Sequence, residues 1–262
     1  GDRDTAAKDV AGDRVSLHGG RCFFINLQRR KDRRKWMESL VAGHPWLRIA
    51  LERIPAVDGR ELSWSQLVAD GLFTQEAFES SQRAESEKRA TIGASPKTCS
   101  PHLTLGGCGC ALSHRRAWQT LAASTSPWAL ILEDDITTIH KTFDDQLDRV
   151  LEQLPDGWKL CYLGYHSGCL LPPHETFRGP LRALPRDGWL PGLWGYLIAR
   201  ACAVELLEEA FPMPCQVDTA VGCWAATMQG AYALPNSQFI LFSPPTESSK
   251  DTDIQTFPED MK

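Results

Sequence analysis

Short apolar runs alternate with helical patterns along most of the chain. The first run, residues 22–27, leads into a charged turn and then into the helical spacing of Trp36, Met37 and Leu40. A short apolar run between polar turns is typical of a buried strand, and apolar residues three and four apart are typical of one helix face. The start of the chain therefore predicts a strand, a polar turn and a helix, which is the first half of a βα unit.

This alternation continues to the last third of the sequence. Further strands are predicted at residues 51–57, 128–132, 159–164 and 193–199, and further helices at residues 109–121, 143–154, 201–211 and 220–228. Strands and helices that alternate over short links are typical of a mainly parallel sheet covered by helices. We therefore predict an α/β fold.

Two stretches depart from the alternation. Residues 1–20 carry no periodicity and predict a polar tail. Residues around 63–103 are polar and charged, with helical patches near 64–72 and 75–89, and predict an insertion outside the sheet. Because no repeat or linker divides the rest, we predict a single domain over residues 21–262.

The composition is that of an ordinary globular protein. The chain has 262 residues, of which 42% are hydrophobic and 23% charged, with a formal net charge of −5. A negative surface repels phosphate backbones, which argues against a broad nucleic-acid interface. No apolar run approaches the roughly 18 residues that span a bilayer, so we expect no membrane span in this sequence. Because it begins with Gly and shows no signal peptide, we expect that an upstream segment is missing.

The nine cysteines are dispersed and odd in number, so at least one does not pair within the chain. Four lie in apolar stretches, where we expect them to behave as small buried hydrophobes: Cys22, Cys161, Cys202 and Cys223. One or two disulfides in a lumenal compartment stay an open alternative. Cys108 and Cys110 do not have the usual zinc spacing and no second pair follows, so we predict no zinc site.

Three consecutive carboxylates, Glu133, Asp134 and Asp135, follow the predicted strand at residues 128–132. In an open α/β sheet, ligands collect beyond the carboxyl ends of the strands. Side chains alternate along an extended chain, so Glu133 and Asp135 point one way and Asp134 the other. Like charges this close repel unless a cation lies between them, and oxygen ligands suit Mg²⁺ or Mn²⁺. The alternative is a helix start at residues 136–140, where acidic side chains are also favourable.

A basic turn and a Ser-His segment are further candidates. Asn26 and Arg29 lie where the first strand leads into a helix, where backbone N–H groups and guanidinium groups bind a phosphate or a uracil edge. A solvated first helical turn is the alternative. Ser113 and His114 follow glycines that allow close backbone approach, although a histidine on an apolar helix face is more often a buried, hydrogen-bonded one.

Carboxylates late in the sequence are harder to interpret. Asp218 stands alone in an apolar neighbourhood, and its spacing by itself favours a cap on the helix at residues 220–228. Asp251 and Asp253 lie in a polar C-terminal stretch and indicate no function by themselves.

Taken in order, seven segments of the chain resemble glycosyltransferase family 25, which contains lipooligosaccharide and procollagen galactosyltransferases. The segments are residues 24–27 with Arg29, Asp32 and Arg33, then 57–59, 106–114, 130–135, 162–164, 195–198 and 217–218. The resemblance extends from about residue 22 to about residue 253. Gly107 and Cys108 stand where the family usually has an acidic and an aliphatic residue.

The resemblance implies a GT-A-like nucleotide-sugar-binding fold and an inverting transfer of galactose or glucose from a UDP-sugar to a hydroxyl group on a glycan or protein. It implies that Glu133 and Asp135 are ligands of Mn²⁺ or Mg²⁺ and that Asp218 is the catalytic base. The expected nucleotide and donor contacts are Asn26, Arg29, Arg33, Ser113, His114 and Asp134.

Two other classes stay open at this point. A metal-dependent phosphohydrolase or nucleotidyltransferase would use the same three carboxylates, and a non-catalytic sugar-binding relative would keep the fold without the chemistry. For localisation, the dispersed cysteines favour the lumen of the secretory pathway, in the endoplasmic reticulum or Golgi, with the cytoplasm as the alternative.

Overall fold

The computed structural model describes residues 17–90, 103–166, 176–179, 181–184, 190–243 and 253–254. Its strands, in chain order, are β1 (Arg21–Asn26), β2 (Leu51–Pro55), β3 (Trp128–Glu133), β4 (Thr138–Ile139), β5 (Leu160–Tyr162), β6 (Thr176–Arg178), β7 (Leu181–Ala183), β8 (Gly195–Ala199), β9 (Ala231–Ala233) and β10 (Leu241–Phe242). Its α-helices are α1 (Lys31–Val41), α2 (Pro45–Ala50), α3 (Trp64–Ala69), α4 (Gln75–Ala90), α5 (Leu105–Ala122), α6 (Phe143–Gln153), α7 (Arg200–Glu209) and α8 (Val217–Thr227).

One eight-stranded sheet organises these elements, in the order β2-β1-β3-β8-β5-β9-β7-β6. Strand β1 is parallel to both β2 and β3, and β5 is parallel to β9. Strand β8 is antiparallel to β3 and β5, and β7 is antiparallel to β9 and β6. These pairings leave only β8 and β7 running against the other six strands. The prediction of an α/β fold with a mainly parallel sheet is confirmed.

The central strands are buried on both faces. Residues 22–26 of β1 and residues 128–132 of β3 are all buried. A strand covered on both faces has no polar side to show, which explains the continuous apolar runs in the sequence. The register pairs Ile25 with Glu133, so β1 and β3 reach the same edge of the sheet together.

The predicted strands at residues 22–27, 51–57, 128–132, 159–164 and 193–199 correspond to β1, β2, β3, β5 and β8, with ends that differ by at most two residues. Helix α5 begins at Leu105, earlier than predicted, because the Thr104 side chain accepts a hydrogen bond from the Gly107 amide and caps it. The short strands β4, β6, β7, β9 and β10 were not predicted, since two or three residues carry no readable period. The helix start considered at residues 136–140 is wrong, because β4 lies there and pairs with β10.

The polar block beginning near residue 63 contains α3 and α4 and adds no strand to the sheet over its described residues. Ser63 caps α3 through the Gln66 amide. Residues 1–16 and 91–102 lie outside the described residues, and the division into a tail and one domain stays a prediction. None of the helices in the described part of the chain is long and apolar enough to cross a membrane.

Seven of the nine cysteines lie in the described ranges, and all seven are free thiols there. Cys22, Cys161 and Cys202 are buried, as expected of small hydrophobes. The expectation for Cys223 is wrong, because its side chain is exposed. Cys99 and Cys169 lie outside the described residues, so pairing between those two stays open.

Candidate active site

The three carboxylates stand at the carboxyl end of β3, beside a pocket of about 90 Å³. The ends of β1 and β2, the first turns of α5, and Asp253 with Ile254 form the rest of its wall. The pocket borders a larger cavity of about 530 Å³, which shares Gly59, Gly106, Asp253 and Ile254 with it. This is the edge of an α/β sheet where ligands bind.

Asp134 is anchored by side chains from β1 and α1. Its Oδ1 atom accepts a hydrogen bond from Arg33 Nη1 at 2.8 Å, and its Oδ2 atom accepts one from Asn26 Nδ2 at 2.6 Å. Burial raises the pKa of Asp134, while the Arg33 and Asn26 contacts act in the opposite direction. The two residues therefore fix the middle carboxylate to the end of β1 and the first turn of α1.

Asn26 is a buried hydrogen-bonding centre at the end of β1. Besides Asp134, its amide nitrogen donates to the Arg30 carbonyl, and its amide oxygen accepts from Arg34 Nε and Arg53 Nε. Two donors and two acceptors exhaust what an amide offers. Asn26 thus holds the turn in place, and its predicted contact with a nucleotide would require one of these bonds to be exchanged.

The arginines of the basic turn bind carboxylates. Arg29 contacts Asp253 and Asp58, and Arg30 Nη1 lies 2.8 Å from the other oxygen of Asp253. The hydrogen bond from Arg60, and to a smaller extent that from Arg29, holds the pKa of Asp58 well below its usual range. Asp253 therefore occupies the position where the sequence predicted an anion. No local pattern could identify it, because its partners lie more than 200 residues earlier.

Asp135 has a buried oxygen, Oδ1, with no hydrogen-bond partner among the described residues. Burial and the charge of Glu133 raise the pKa of Asp135 to about 7. Buried polar atoms almost always have a partner, so this oxygen calls for a proton or a cation. The carboxylates of Glu133 and Asp135 fit a hard divalent ion such as Mn²⁺ or Mg²⁺ at this point.

His114 lies behind Glu133 and is completely buried. Its Nε2 atom is 3.1 Å from Glu133 Oε1, and its Nδ1 atom is 2.9 Å from the Tyr196 hydroxyl. Cys110 lies on the pocket side, and its sulfur, a His114 ring nitrogen and a Glu133 oxygen all lie within 4.8 Å of one another. Helical spacing already predicted that Cys110 and His114 share a face of α5, but sequence reasoning missed this group because Glu133 joins it from β3, which only the fold brings close.

Ser113 joins α5 to the end of β2. Its hydroxyl oxygen accepts from the Val57 amide at 2.8 Å and donates to the Gly109 carbonyl at 2.6 Å. A side chain on Gly109 would meet the Val57 carbonyl oxygen at 2.6 Å, so glycine allows this close approach. Ser113 lines the pocket, as the prediction of a donor contact requires, but it also fixes the pocket wall.

Asp218 stands in the first turn of α8, one residue after the helix begins, and the N-cap is Gln216. The expectation of a simple cap is therefore wrong. The Asp218 carboxylate accepts hydrogen bonds from the Gly192 and Thr219 amides at 3.1 and 2.7 Å. Asp218 does not line the acidic pocket. Burial is the main cause of the raised pKa of Cys110, and the charges of Glu133, Asp218 and Asp135 raise it further.

His166 and Trp194 are close to the site; no pattern in the sequence indicated His166, and for Trp194 core packing was favoured over stacking on a sugar. Their rings meet edge to face with centroids 4.7 Å apart, and the Trp194 carbonyl accepts a hydrogen bond from the Glu133 amide. Burial lowers the pKa of His166, whereas the charges of Asp218 and Glu133 raise it. Both residues lie at this edge of the sheet because His166 follows the end of β5 and Trp194 precedes the start of β8. The antiparallel pairing of these two strands brings those ends together.

We expect Asp134→Ala to lower the free energy of unfolding by about 3 kcal/mol, because it removes the carboxylate that accepts a hydrogen bond from the mostly buried Arg33 guanidinium. Urea unfolding followed by circular dichroism measures this. Asp32→Ala is the matched control, since it also removes a carboxylate that binds an arginine, but Asp32 itself is exposed and Arg30 keeps its contact with Asp253, so we expect little change. Equal losses in the two variants would contradict the anchoring role of Asp134.

A mainly parallel α/β sheet with carboxylates and a basic turn at its carboxyl edge defines the class of α/β proteins that bind their ligands at that edge. The family model described as glycosyltransferase family 25 (LPS biosynthesis protein) matches residues 20–178. The chain belongs to glycosyltransferase family 25. The matched residues include the three carboxylates, the basic turn and the Ser-His segment, and the fold agrees with the GT-A-like fold expected of the family.

Curated relatives agree with this assignment. The chain is 32% identical over 197 residues to a protein named glycosyltransferase 25 family member from Drosophila melanogaster, with 74% of this chain and 29% of the relative covered. It is 31% identical over 193 residues to a protein of the same name from Aedes aegypti, with 71% and 28% covered. It is 30% identical over 145 residues to procollagen galactosyltransferase 2 from Homo sapiens, with 54% and 20% covered. The chain thus spans less than a third of the length of these relatives.

Proposed function

We propose that this chain is the donor-binding part of an inverting glycosyltransferase that moves galactose or glucose from a UDP-sugar to a hydroxyl group on a glycan or protein. The observation that supports it most is the unpartnered, buried oxygen of Asp135 beside Glu133, in a chain that belongs to glycosyltransferase family 25. The names of the procollagen galactosyltransferases among its relatives favour galactose and a protein acceptor, and also a place in the secretory-pathway lumen.

The size of the site suits a sugar nucleotide better than a lone ion. The acidic pocket is small, but the cavity of about 530 Å³ that borders it is in the range of ligand sites in proteins. Arg29 lines the larger cavity, and Arg29 and Arg30 both bind the carboxylate of Asp253, which lines the larger cavity and the acidic pocket. A diphosphate can replace that carboxylate, because a guanidinium group binds carboxylate and phosphate oxygens through the same pair of N–H donors.

Glu133 and Asp135 would hold Mn²⁺ or Mg²⁺, which supplies a Lewis acid that offsets charge on a departing UDP. The residues of the chain prepare that position beforehand. Arg33 and Asn26 bind the Asp134 side chain, and this holds the segment with the three acidic residues at the end of β3. No donor among the described residues reaches the Oδ1 atom of Asp135, so a ligand there displaces none of the hydrogen bonds of that part of the chain.

Asp218 is our proposed base. The acceptor oxygen forms a bond to the anomeric carbon, the bond from that carbon to the UDP oxygen breaks, and the acceptor proton passes to the Asp218 carboxylate. The Thr219 amide and hydroxyl both donate to Oδ1 of this carboxylate, whereas Oδ2 accepts from the Gly192 amide alone among the described residues and keeps a second lone pair for the proton. Its charge acts on Cys110 together with those of Glu133 and Asp135, so Asp218 lies near a residue that lines the acidic pocket.

Thermal unfolding in the presence of ligands tests the donor class. We expect UDP and UDP-galactose with Mn²⁺ to raise Tm by several degrees, because a ligand at 100 times its Kd adds about 2.7 kcal/mol to the folded state. EDTA should cancel most of this shift, and GDP-mannose serves as the nucleotide control.

A transfer assay separates the alternatives. Release of UDP that needs both Mn²⁺ and a hydroxyl acceptor supports the proposal. Rapid phosphoester turnover with no acceptor would instead identify a phosphohydrolase or nucleotidyltransferase, and sugar binding without UDP release would identify a non-catalytic relative. Equal Tm shifts with UDP and GDP-mannose, insensitive to EDTA, would refute the UDP-sugar site.

A further inference from the structure

A continuous chain of hydrogen bonds runs through the core to Glu133. Trp118 Nε1 lies 2.9 Å from the Tyr196 hydroxyl, which lies 2.9 Å from His114 Nδ1, and His114 Nε2 lies 3.1 Å from Glu133 Oε1. Trp118, Tyr196 and His114 are completely buried. Only the Glu133 end of the chain reaches the pocket.

The donor and acceptor capacities of these groups fix the direction of every bond. The Trp118 indole can only donate, so the Tyr196 oxygen accepts from it. Ionised Glu133 can only accept, so His114 carries its proton on Nε2. The Nδ1 atom of a neutral ring is then an acceptor, and the Tyr196 hydroxyl donates to it. Burial raises the pKa of Tyr196 well above its usual range, which keeps that hydroxyl proton in place.

Each alternative arrangement leaves a buried group without a partner. A proton on Nδ1, in either the other tautomer or the imidazolium form, would make the Tyr196 oxygen accept twice and would leave the hydroxyl proton with no acceptor among the described residues. The same holds for a metal ion bound to His114 Nε2 in the group with Cys110 and Glu133, because that nitrogen must first lose its proton. Buried polar groups without partners are rare because they cost the whole hydrogen bond.

We propose that Tyr196 and His114 are positioning residues that lock His114 in the Nε2–H tautomer and thereby hold Glu133 Oε1, so that Oε2 is turned to the ligand. This inference rests on the proposed function in so far as the ligand is a divalent ion with a sugar nucleotide. Oε2 of Glu133 accepts no hydrogen bond within the described part of the chain, so it is the oxygen left for that ligand. Partners behind a metal-binding carboxylate often set its affinity for the ion.

Nitrogen NMR of the metal-free protein with ¹⁵N-histidine reads the tautomer directly, with the His114 signals assigned from their loss in His114→Gln. We expect wild-type His114 in the Nε2–H form and a mixture of tautomers in Tyr196→Phe. Tyr162→Phe is the matched control, because it removes a hydroxyl that is equally buried, faces Tyr196 across the strand pair and has no hydrogen-bond partner. A wild-type ring protonated on Nδ1, or unchanged in Tyr196→Phe, would overturn the proposal.

Binding of Mn²⁺ by calorimetry, in the presence of UDP, tests the consequence for Glu133. We expect His114→Leu and Tyr196→Phe to weaken the apparent affinity about 10-fold or more, in the range known for such outer partners. His114→Gln places an amide N–H near the Nε2 position and should restore most of the affinity, which a purely structural loss would not. Equal weakening in His114→Gln and His114→Leu would contradict the positioning role.

Two further outcomes are kept distinct. Tight Zn²⁺ or Cd²⁺ binding that shifts the His114 Nε2 signal and is lost in Cys110→Ser would identify a thiolate metal site and overturn the tautomer lock. Absence of Mn²⁺ and UDP binding in the wild type would refute the proposed function and with it the assignment of the ligand to Oε2. The NMR result would still show whether Tyr196 fixes the ring, so the two failures are separable.

Discussion

Asp135→Asn should abolish UDP-hexose transfer while leaving the protein at least as stable as the wild type. The side chain contributes a charge to the site, and removing one preorganised charge group from an active site costs about 100-fold or more in rate. Its buried Oδ1 atom makes no hydrogen bond within the described ranges that the variant could lose, and its neighbour Glu133 has the same charge. Transfer assays with Mn²⁺ and urea unfolding of the same preparations measure both effects.

Asp144→Asn is the matched control for this variant. Asp144 also has a buried oxygen without a partner, but its other oxygen accepts the Trp46 amide at 2.8 Å, and it lies in the first turn of α6. We expect it to lose about 1 kcal/mol of stability and no activity, since it gives up a charged hydrogen bond and a favourable helix-dipole contact. Near-normal, EDTA-insensitive turnover in Asp135→Asn would remove the metal assignment.

Asp218→Asn should reduce kcat by about 100-fold or more, the range that general-base catalysis contributes, while donor binding survives. The variant cannot take the acceptor proton, but the residue does not line the acidic pocket where the donor diphosphate is proposed to bind. Steady-state kinetics give kcat, and thermal shifts with UDP-galactose and Mn²⁺ report donor binding in the same variant.

The hydrogen bonds of Asp218 require a second variant. Asn keeps only one acceptor oxygen, so Asp218→Asn also weakens the bond to the Gly192 or the Thr219 amide. Asp218→Glu retains the carboxylate but displaces it, and we expect a reduced yet measurable rate. If Asp218→Asn keeps the wild-type kcat, Asp218 is not the base. If the Asn and Glu variants lose activity equally and also lose donor binding, the residue acts through the Gly192 segment.

The sequence predicted the strands that build the centre of the sheet. Residues 22–27 and 128–132 were readable because a strand buried on both faces is apolar at every position, and their lengths suit strands. It also predicted that the carboxylates at residues 133–135 stand at a strand end, which follows from position alone. The short strands near residues 231 and 241 were not predicted, because their pairing partners, not their own sequences, make them strands.

The contacts of the site residues needed the fold. Arg29 was predicted to bind an anion, and its observed partner Asp253 had shown no feature of its own in the sequence. Asn26 and Ser113 were predicted near the ligand, but the polar atoms of both side chains are used to fix β1 and β2 to their neighbours. The sequence shows which polar side chains are present. Only the hydrogen bonds of the folded protein show which of their atoms remain available to a ligand.

By itself, the sequence determined the α/β class and the strand whose tip carries Glu133, Asp134 and Asp135, because apolar burial imposes a period that can be read locally. Only the tertiary structure decided that Asp134 is tied to Arg33, that Asp135 keeps a free oxygen and that Glu133 is held by His114 and Tyr196. Hydrogen-bond partners are chosen by distances of a few ångströms between side chains far apart in the sequence, and local periodicity carries no record of those distances.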